Sequence, residues 1–200
     1  MLFMSNDIVL PKNSEAEFIE IAAKLGIKKL YFLYDFDDYN EEKIQRKLES
    51  IENKKINIEI GFLVNQKNLN KAAKSSGFLV AKSSDKDRLL IESKKMKIIY
   101  GFEESMKRDY IHQRGSGLNH ILCELANRNM VSVGFSYSSL VNNKNAAMLL
   151  GRMIQNLSLC RKYKVNTTIA SFSSNPFELR AHHDVASMFK LFGAETKISF

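Results

Sequence analysis

KIIYGF at residues 97–102 and VSVGF at 131–135 decide the fold. Each is a continuous apolar run rather than an alternation of apolar and polar residues. A strand covered on both faces has this look, as parallel strands between helices do. Working outward, the same kind of run recurs at Asp7–Leu10, Lys29–Tyr34, Ile56–Leu63, Gly77–Lys82 and Val165–Ser171, and the two quoted runs extend to Met96–Gly101 and Met130–Phe135. Helical patterns fill the intervals: Ser14–Leu25, Glu41–Ile51, Leu69–Ser75, Asp85–Ser93, Leu118–Asn129, Ala146–Tyr163 and Phe177–Phe192. Local signals mark several ends. Ser14 with Glu17 has capping-box spacing. Asn175-Pro176 offers a cap and a first-position proline, and Gly193 a stop.

Repeated β–α units give either an open doubly wound sheet or a closed barrel. The chain has 200 residues, the lower edge for an eight-stranded barrel. Seven strands and a possible eighth at Lys197–Phe200 favour a TIM-like α/β barrel of seven to eight mostly parallel strands in one domain over residues 1–200. Hydrophobic residues make up 44% and charged residues 26%, near the globular average, which excludes disordered, collagen and coiled-coil classes. No run is long enough for a membrane span, and MLFMSNDIVLPKN lacks the basic start of a signal peptide. Cys123 and Cys160, far apart and each inside an apolar helical pattern, predict two buried thiols in a cytoplasmic protein rather than a disulfide or zinc site.

The net charge is +8, with 30 Lys and Arg against 22 Asp and Glu, so the class of partner is polyanionic. Residues 1–50 carry a net of −3, residues 51–100 a net of +6 and residues 105–180 a net of +7. Lysines between Lys54 and Lys97 are read as a solvated surface. Arginine is a planar fork suited to phosphate, which singles out Arg114, Arg152, Arg161 and Arg180.

The segment KRDYIHQRGSGLNH, 107–120, has the most unusual composition. Ser116, read as the N-cap of the helix that follows, would leave backbone N–H groups as a phosphate cradle, with Arg108, His112 and Arg114 on its approach. The Gly-Lys-Ser/Thr of a nucleotide P-loop is missing. On 146–163, Ala146, Leu150, Met153, Leu157 and Cys160 form an apolar face. Arg152 and Arg161 point to nearly opposite sides, so at least one of them should be a structural ion-pair partner or a helix-end contact. Arg180 and Asp184 have i,i+4 spacing, with a simple surface pair as the plain reading.

Catalytic signals are absent. His182 and His183 are adjacent and point about 100° apart on a helix, and His112 and His120 lack helical ligand spacing. The first strand has no His-x-His, no nucleophile elbow appears, and Asp35, Asp37 and Asp38 read as a solvated loop.

RGSGLNH at 114–120, GFSYSSL at 134–140, GRMIQNLSLCRKYKV at 151–165, IASFSSNPFELR at 169–180 and DVASMFKLFGAE at 184–195, in this order and spacing, resemble the family of ribonuclease P protein component 3, the archaeal family that also includes the thirty-kilodalton subunit of the eukaryotic enzyme. The resemblance is dense from Lys107 to Gly193 and weaker over 1–100. It implies a barrel akin to the polymerase-and-histidinol-phosphatase (PHP) metallohydrolases without their metal site. It implies a subunit of the ribonuclease P endoribonuclease, which removes the 5′ leader of precursor tRNA. The catalytic centre would lie in the RNA, with Mg2+ held there, and the isolated chain would be inactive and bind no cofactor. Expected partners are ribonuclease P RNA, protein component 2 in a two-plus-two heterotetramer, other ribonuclease P proteins and, indirectly, precursor tRNA.

By position, the RNA-binding candidates are Arg114, His112, Ser116, His120, Arg152, Arg161, Arg180 and Arg88, with Arg114 and Arg180 foremost. Asn119, Asn156 and Asp184 are orienting candidates, Asp184 holding Arg180. The other classes kept open are a metal-dependent PHP-type phosphoesterase and a general RNA-binding scaffold.

Overall fold

β-Branched and aromatic residues drive seven strands in the computed structural model, which describes residues 6–51, 56–75, 77–106, 108–109, 111–112 and 114–194. They are β1 Asn6–Val9, β2 Lys29–Asp35, β3 Asn57–Leu63, β4 Phe78–Lys82, β5 Ile98–Tyr100, β6 Ser132–Ser136 and β7 Thr167–Ala170. The helices are α1 Glu15–Lys24, α2 Glu41–Glu49, α3 Leu69–Ala72, α4 Asp87–Glu92, α5 His120–Arg128, α6 Tyr137–Asn142, α7 Ala146–Lys162 and α8 His182–Leu191. The strands form one sheet in sequence order, every adjacent pair parallel. That is the βα-barrel arrangement expected from the apolar runs. The strand expected at Lys197–Phe200 lies outside the described residues.

The sheet nearly closes. Beyond the strand ends, Val9 and Ser173 form a parallel bridge. Phe172 N donates to Ile8 O at 2.8 Å and Leu10 N to Ser173 O at 2.8 Å. Asp7 completes the seam: its Oδ1 accepts from Ser171 N at 2.7 Å and Ile8 N at 2.8 Å. Inside the barrel, Ile8, Leu33, Val80, Ile98, Tyr100 and Phe172 form one cluster, and the Tyr100 and Phe172 rings stack 4.2 Å apart. Gly134 sits beneath them, where a Cβ would come within 2.7 Å of Tyr100 Cβ. Rings thus fill the lumen, as side chains do in small barrels. The larger apolar clusters lie outside, between sheet and helices. Cys123 and Cys160 are both free and fully buried there.

Three local expectations change. Ser14 makes no side-chain cap, so the capping box does not form. Asn175 caps only a 3₁₀ turn, Pro176–Glu178, through Phe177 N; the chain then extends and α8 starts at His182 rather than Phe177. At that break Arg180 donates to the carbonyls of Phe177 and Leu179 at 2.9 and 2.7 Å. Finally, α5 is capped by Asn119, whose Oδ1 accepts from Leu122 N at 3.0 Å, and not by Ser116.

Candidate nucleic-acid interface

In a parallel barrel every strand-to-helix loop emerges at one end, where side chains can converge without disturbing the core. The longest such loop here runs from Gly101 to Asn119, between β5 and α5. It is built around a buried guanidinium. Arg152, on α7, is 1% exposed. Its Nε donates to Asp109 Oδ1 at 2.7 Å, and its Nη1 donates to the carbonyls of Glu103 and Met106 at 2.9 and 2.7 Å. Asp109 Oδ1 also accepts from Gly115 N at 2.7 Å. That backbone N–H, followed by the Arg152 charge, holds the Asp109 carboxyl below the usual carboxylate range.

Gly115 is required by this packing. A Cβ there would lie 2.4 Å from Arg108 O and 3.1 Å from Arg152 Nη2. Beneath it, Ser116 Oγ donates to the fully buried Asn156 Oδ1 at 2.7 Å. Glu103 is also fully buried, and burial pushes its carboxyl up to about 7.

This geometry corrects the sequence reading in four places. Arg152, expected on RNA, is sealed in the protein as a structural ion-pair partner of Asp109, one of the alternatives left open for Arg152 or Arg161. Ser116 holds the loop to α7. The phosphate cradle is closed, because its N–H groups are taken: Gly115 by Asp109, Ser116 by Arg114 O, Gly117 by Phe102 O and Leu118 by Ser116 Oγ. Asp184 does not hold Arg180; its Oδ1 is 2.9 Å from His183 Nε2, and backbone carbonyls orient Arg180 instead.

What the anchored loop presents is Arg108, His112 and Arg114, all exposed, beside an Ile111 that is 95% exposed. Arg114 lies over Gly151 of α7, where a Cβ would be 2.1 Å from its Nη1, and its Nη1 is 4.0 Å from Asp109 Oδ2. His120 opens α5 and is exposed. Arg180 is exposed in the segment after β7, beside the seam between β1 and β7, where it lines a small cavity with Asn6, Asp7 and Ile27. The remaining candidates lie elsewhere. Arg88 is on α4, paired with Glu92 at 2.8 Å, and Arg161 is in the last turn of α7, at the opposite end of the barrel. Asn119 caps α5 and Asn156 accepts from Ser116 of the loop.

Asp109, Glu103 and Gly151 were missed by sequence reasoning. The first two are single carboxylates in a mixed-charge stretch, and the third is an isolated helical glycine whose only signal was its departure from helix propensity. Among the described residues, no group of three His, Cys, Asp or Glu side chains comes together to hold a metal ion, and no helix is long and apolar enough to cross a membrane.

The fold and this loop define a seven-stranded parallel βα barrel that offers exposed cations at the C-terminal ends of its strands. The chain belongs to the RNase P subunit p30 family, whose model matches residues 10–199. It is 27% identical over 179 residues to ribonuclease P protein component 3 of Methanococcus maripaludis strain S2, covering 86% of this chain and 75% of that protein. It is 31% identical over 106 residues to the Methanococcus vannielii protein of the same name, covering 50% and 46%. A chain in a cryo-EM structure of archaeal ribonuclease P with mature tRNA has the same fold, with a TM-score of 0.77 over 94% of this chain and 83% of that one, at 17% identity.

Proposed function

We propose that this protein supports the catalytic RNA of ribonuclease P in removing the 5′ leader of precursor tRNA, by binding and stabilising the catalytic domain of that RNA together with protein component 2 in a two-plus-two assembly. The observation that carries this reading is the loop Gly101–Asn119. A buried ion pair ties its residues Glu103, Met106 and Asp109 to α7, and Gly115 through Asp109, while Arg108, His112 and Arg114 stay exposed. A preorganised cationic loop loses little conformational freedom on binding, so its charges can be spent on phosphates. Arg180, held by two carbonyls on one nitrogen, keeps its other guanidinium donors for the same use.

The protein itself supplies charge and shape, which lets RNA strands approach each other. Mg2+ belongs to the RNA of the holoenzyme, and the isolated chain has no cleavage activity. Reconstitution tests the reading: ribonuclease P RNA plus component 2, with and without this chain, at limiting magnesium. Stimulated cleavage of precursor tRNA is the expected result. No stimulation, or phosphoesterase activity from the metal-loaded chain alone, would overturn it.

A further inference from the structure

The end of the barrel opposite the loop Gly101–Asn119 is also basic; Lys24 and Lys29 there are paired with Glu20 and Glu59, but other cations at this end have no such carboxylate. There the helices run back into the strands. Lys28, Lys97 and Asn166 mark one rim: the Lys28 carbonyl accepts from Asn57 N, the Lys97 carbonyl from Ser132 N and the Asn166 carbonyl from Val133 N, each at 2.9 Å. Lys28, Lys94, Lys97, Arg128, Arg161 and Lys164 are all exposed at this end. Among the described residues none of the six has a carboxylate within 4.0 Å. At the other end Lys82 lies on Glu104, Lys86 on Asp85 and Arg114 beside Asp109. Clefts open among the free cations. One of about 390 Å³ is lined by Arg161, Lys164, Asn166 and Gly193, and one of about 380 Å³ by Lys94, Lys95 and Lys97.

The backbone adds a second observation. Helices α1 and α8 end on Gly26 and Gly193, at φ +70° and +89°, the usual residue for a left-handed C-terminal position. Helices α4 and α7 end on Lys94 and Lys164 in the same left-handed conformation, at φ +59° and +56°. A lysine anywhere in the last turn would serve the helix dipole equally well. Met130 takes the same conformation after α5, at φ +57°, so the strain alone does not select lysine; what the two lysines add is a charge directed off the basal end.

Resting on the ribonuclease P reading above, we propose that this basal face is a second RNA-binding surface, taking the sugar-phosphate backbone of structured RNA at sites separate from those of the loop. Lysines dominate the six cations and act as point charges on phosphate. Of the rings beside these cations, Tyr163 is covered by Lys162 Nζ at 5.5 Å and Phe78 packs edge-on against Tyr31. This favours backbone contact over base stacking.

The test is binding of the full chain to ribonuclease P RNA across a salt series. Two variants are compared with wild type: Lys94→Gln/Lys97→Gln/Lys164→Gln, and Lys94→Gly/Lys164→Gly. The triple variant is expected to bind at least tenfold more weakly at low salt, with a salt slope shallower by about 3, one per lost contact. The glycine variant is expected to bind at least fivefold more weakly while melting no lower than wild type, because glycine relaxes the left-handed positions. Affinity and slope unchanged in both variants would overturn the proposal. So would lost stimulation of cleavage with unchanged RNA affinity, which would give the face to a protein partner. An Arg108→Ala/Arg114→Ala variant run alongside separates the two readings. If it alone weakens binding, the basal face falls and the proposed function stands; if no variant weakens binding, both fall.

Discussion

Arg152 Nε and Asp109 Oδ1 lie 2.7 Å apart, across 43 residues of sequence, and this one contact joins the longest loop of the barrel to its longest helix. The guanidinium is buried and also carries the carbonyls of Glu103 and Met106. Arg152→Met should therefore strand two loop carbonyls and a carboxylate, costing about 3 kcal/mol of stability. The checks are urea denaturation and limited proteolysis, with the first new cleavage within residues 103–118. A variant as stable as wild type, with an uncut loop, would show that the apolar packing of α7 holds the loop by itself.

Arg114→Ala and Arg180→Ala should each weaken stimulation of precursor-tRNA cleavage and raise the magnesium it requires, with the melting temperature within a few degrees of wild type. Asp184→Ala should leave stimulation unchanged, because Asp184 meets His183 and backbone carbonyls position Arg180. If Asp184→Ala matched Arg180→Ala in its effect, a carboxylate–guanidinium pair would have to form on the RNA.

The barrel was legible because burial on both faces of a strand leaves continuous apolar runs, and KIIYGF and VSVGF landed on adjacent strands. The apolar face of α7 was legible for the same reason, with Met153, Leu157 and Cys160 all buried. What escaped was long-range. A helical wheel puts Arg152 and Asn156 on one face of α7 and says nothing of what covers it. Here it is covered by a loop more than 30 residues upstream, and nothing local announces this. The cap of α5 failed on a closer contest: Ser116 and Asn119 are both good caps, and the bond from Ser116 to Asn156 decides between them. Helix α6 has six residues, too few to display a period. The lysines between Lys54 and Lys97 read as plain solvation because pairing, which separates Lys94 and Lys97 from Lys82 and Lys86, is invisible in one dimension.

Two buried carboxyls should make stability fall as pH rises. Burial pushes Asp7 up to about 6 and Glu103 up to about 7. Both values lie above the ordinary carboxylate range of an unfolded chain, so folding favours the protonated forms. The stabilisation is fully present below about pH 4 and is lost as pH climbs through about 6 and then 7, on the order of 2–3 kcal/mol for each group. The Glu103 carboxylate has no hydrogen bond of good geometry, with Asn156 as a side-chain donor near it, and an amide oxygen can accept from that donor as well, so Glu103→Gln removes a buried charge while keeping the shape. Its melting temperature should exceed that of wild type at pH 8 and match it near pH 5. Parallel curves for the two proteins from pH 5 to 8 would refute the role of Glu103.

Gly151→Ala separates the stability of the helix from the placement of its neighbour. Gly151 lies inside α7, where alanine is favoured over glycine by about 1 kcal/mol. The space its Cβ would enter is held by the Arg114 guanidinium, 2.1 Å from Nη1 and 2.5 Å from Cζ. That obstacle is the tip of a flexible, half-exposed side chain and can swing away, unlike the backbone carbonyl of Arg108 that confronts a Cβ at Gly115. Gly151→Ala should therefore raise the melting temperature by about 1–3 °C while displacing Arg114 from its place beside Asp109. Stimulation of cleavage should then drop several-fold, and Gly115→Ala should lose both stability and stimulation. If Gly151→Ala is more stable and stimulates as well as wild type, the seat of Arg114 on α7 has no part in binding RNA. If it is less stable, the guanidinium is fixed more firmly than its exposure implies, and Arg114 then belongs to the scaffold rather than to the RNA-facing surface.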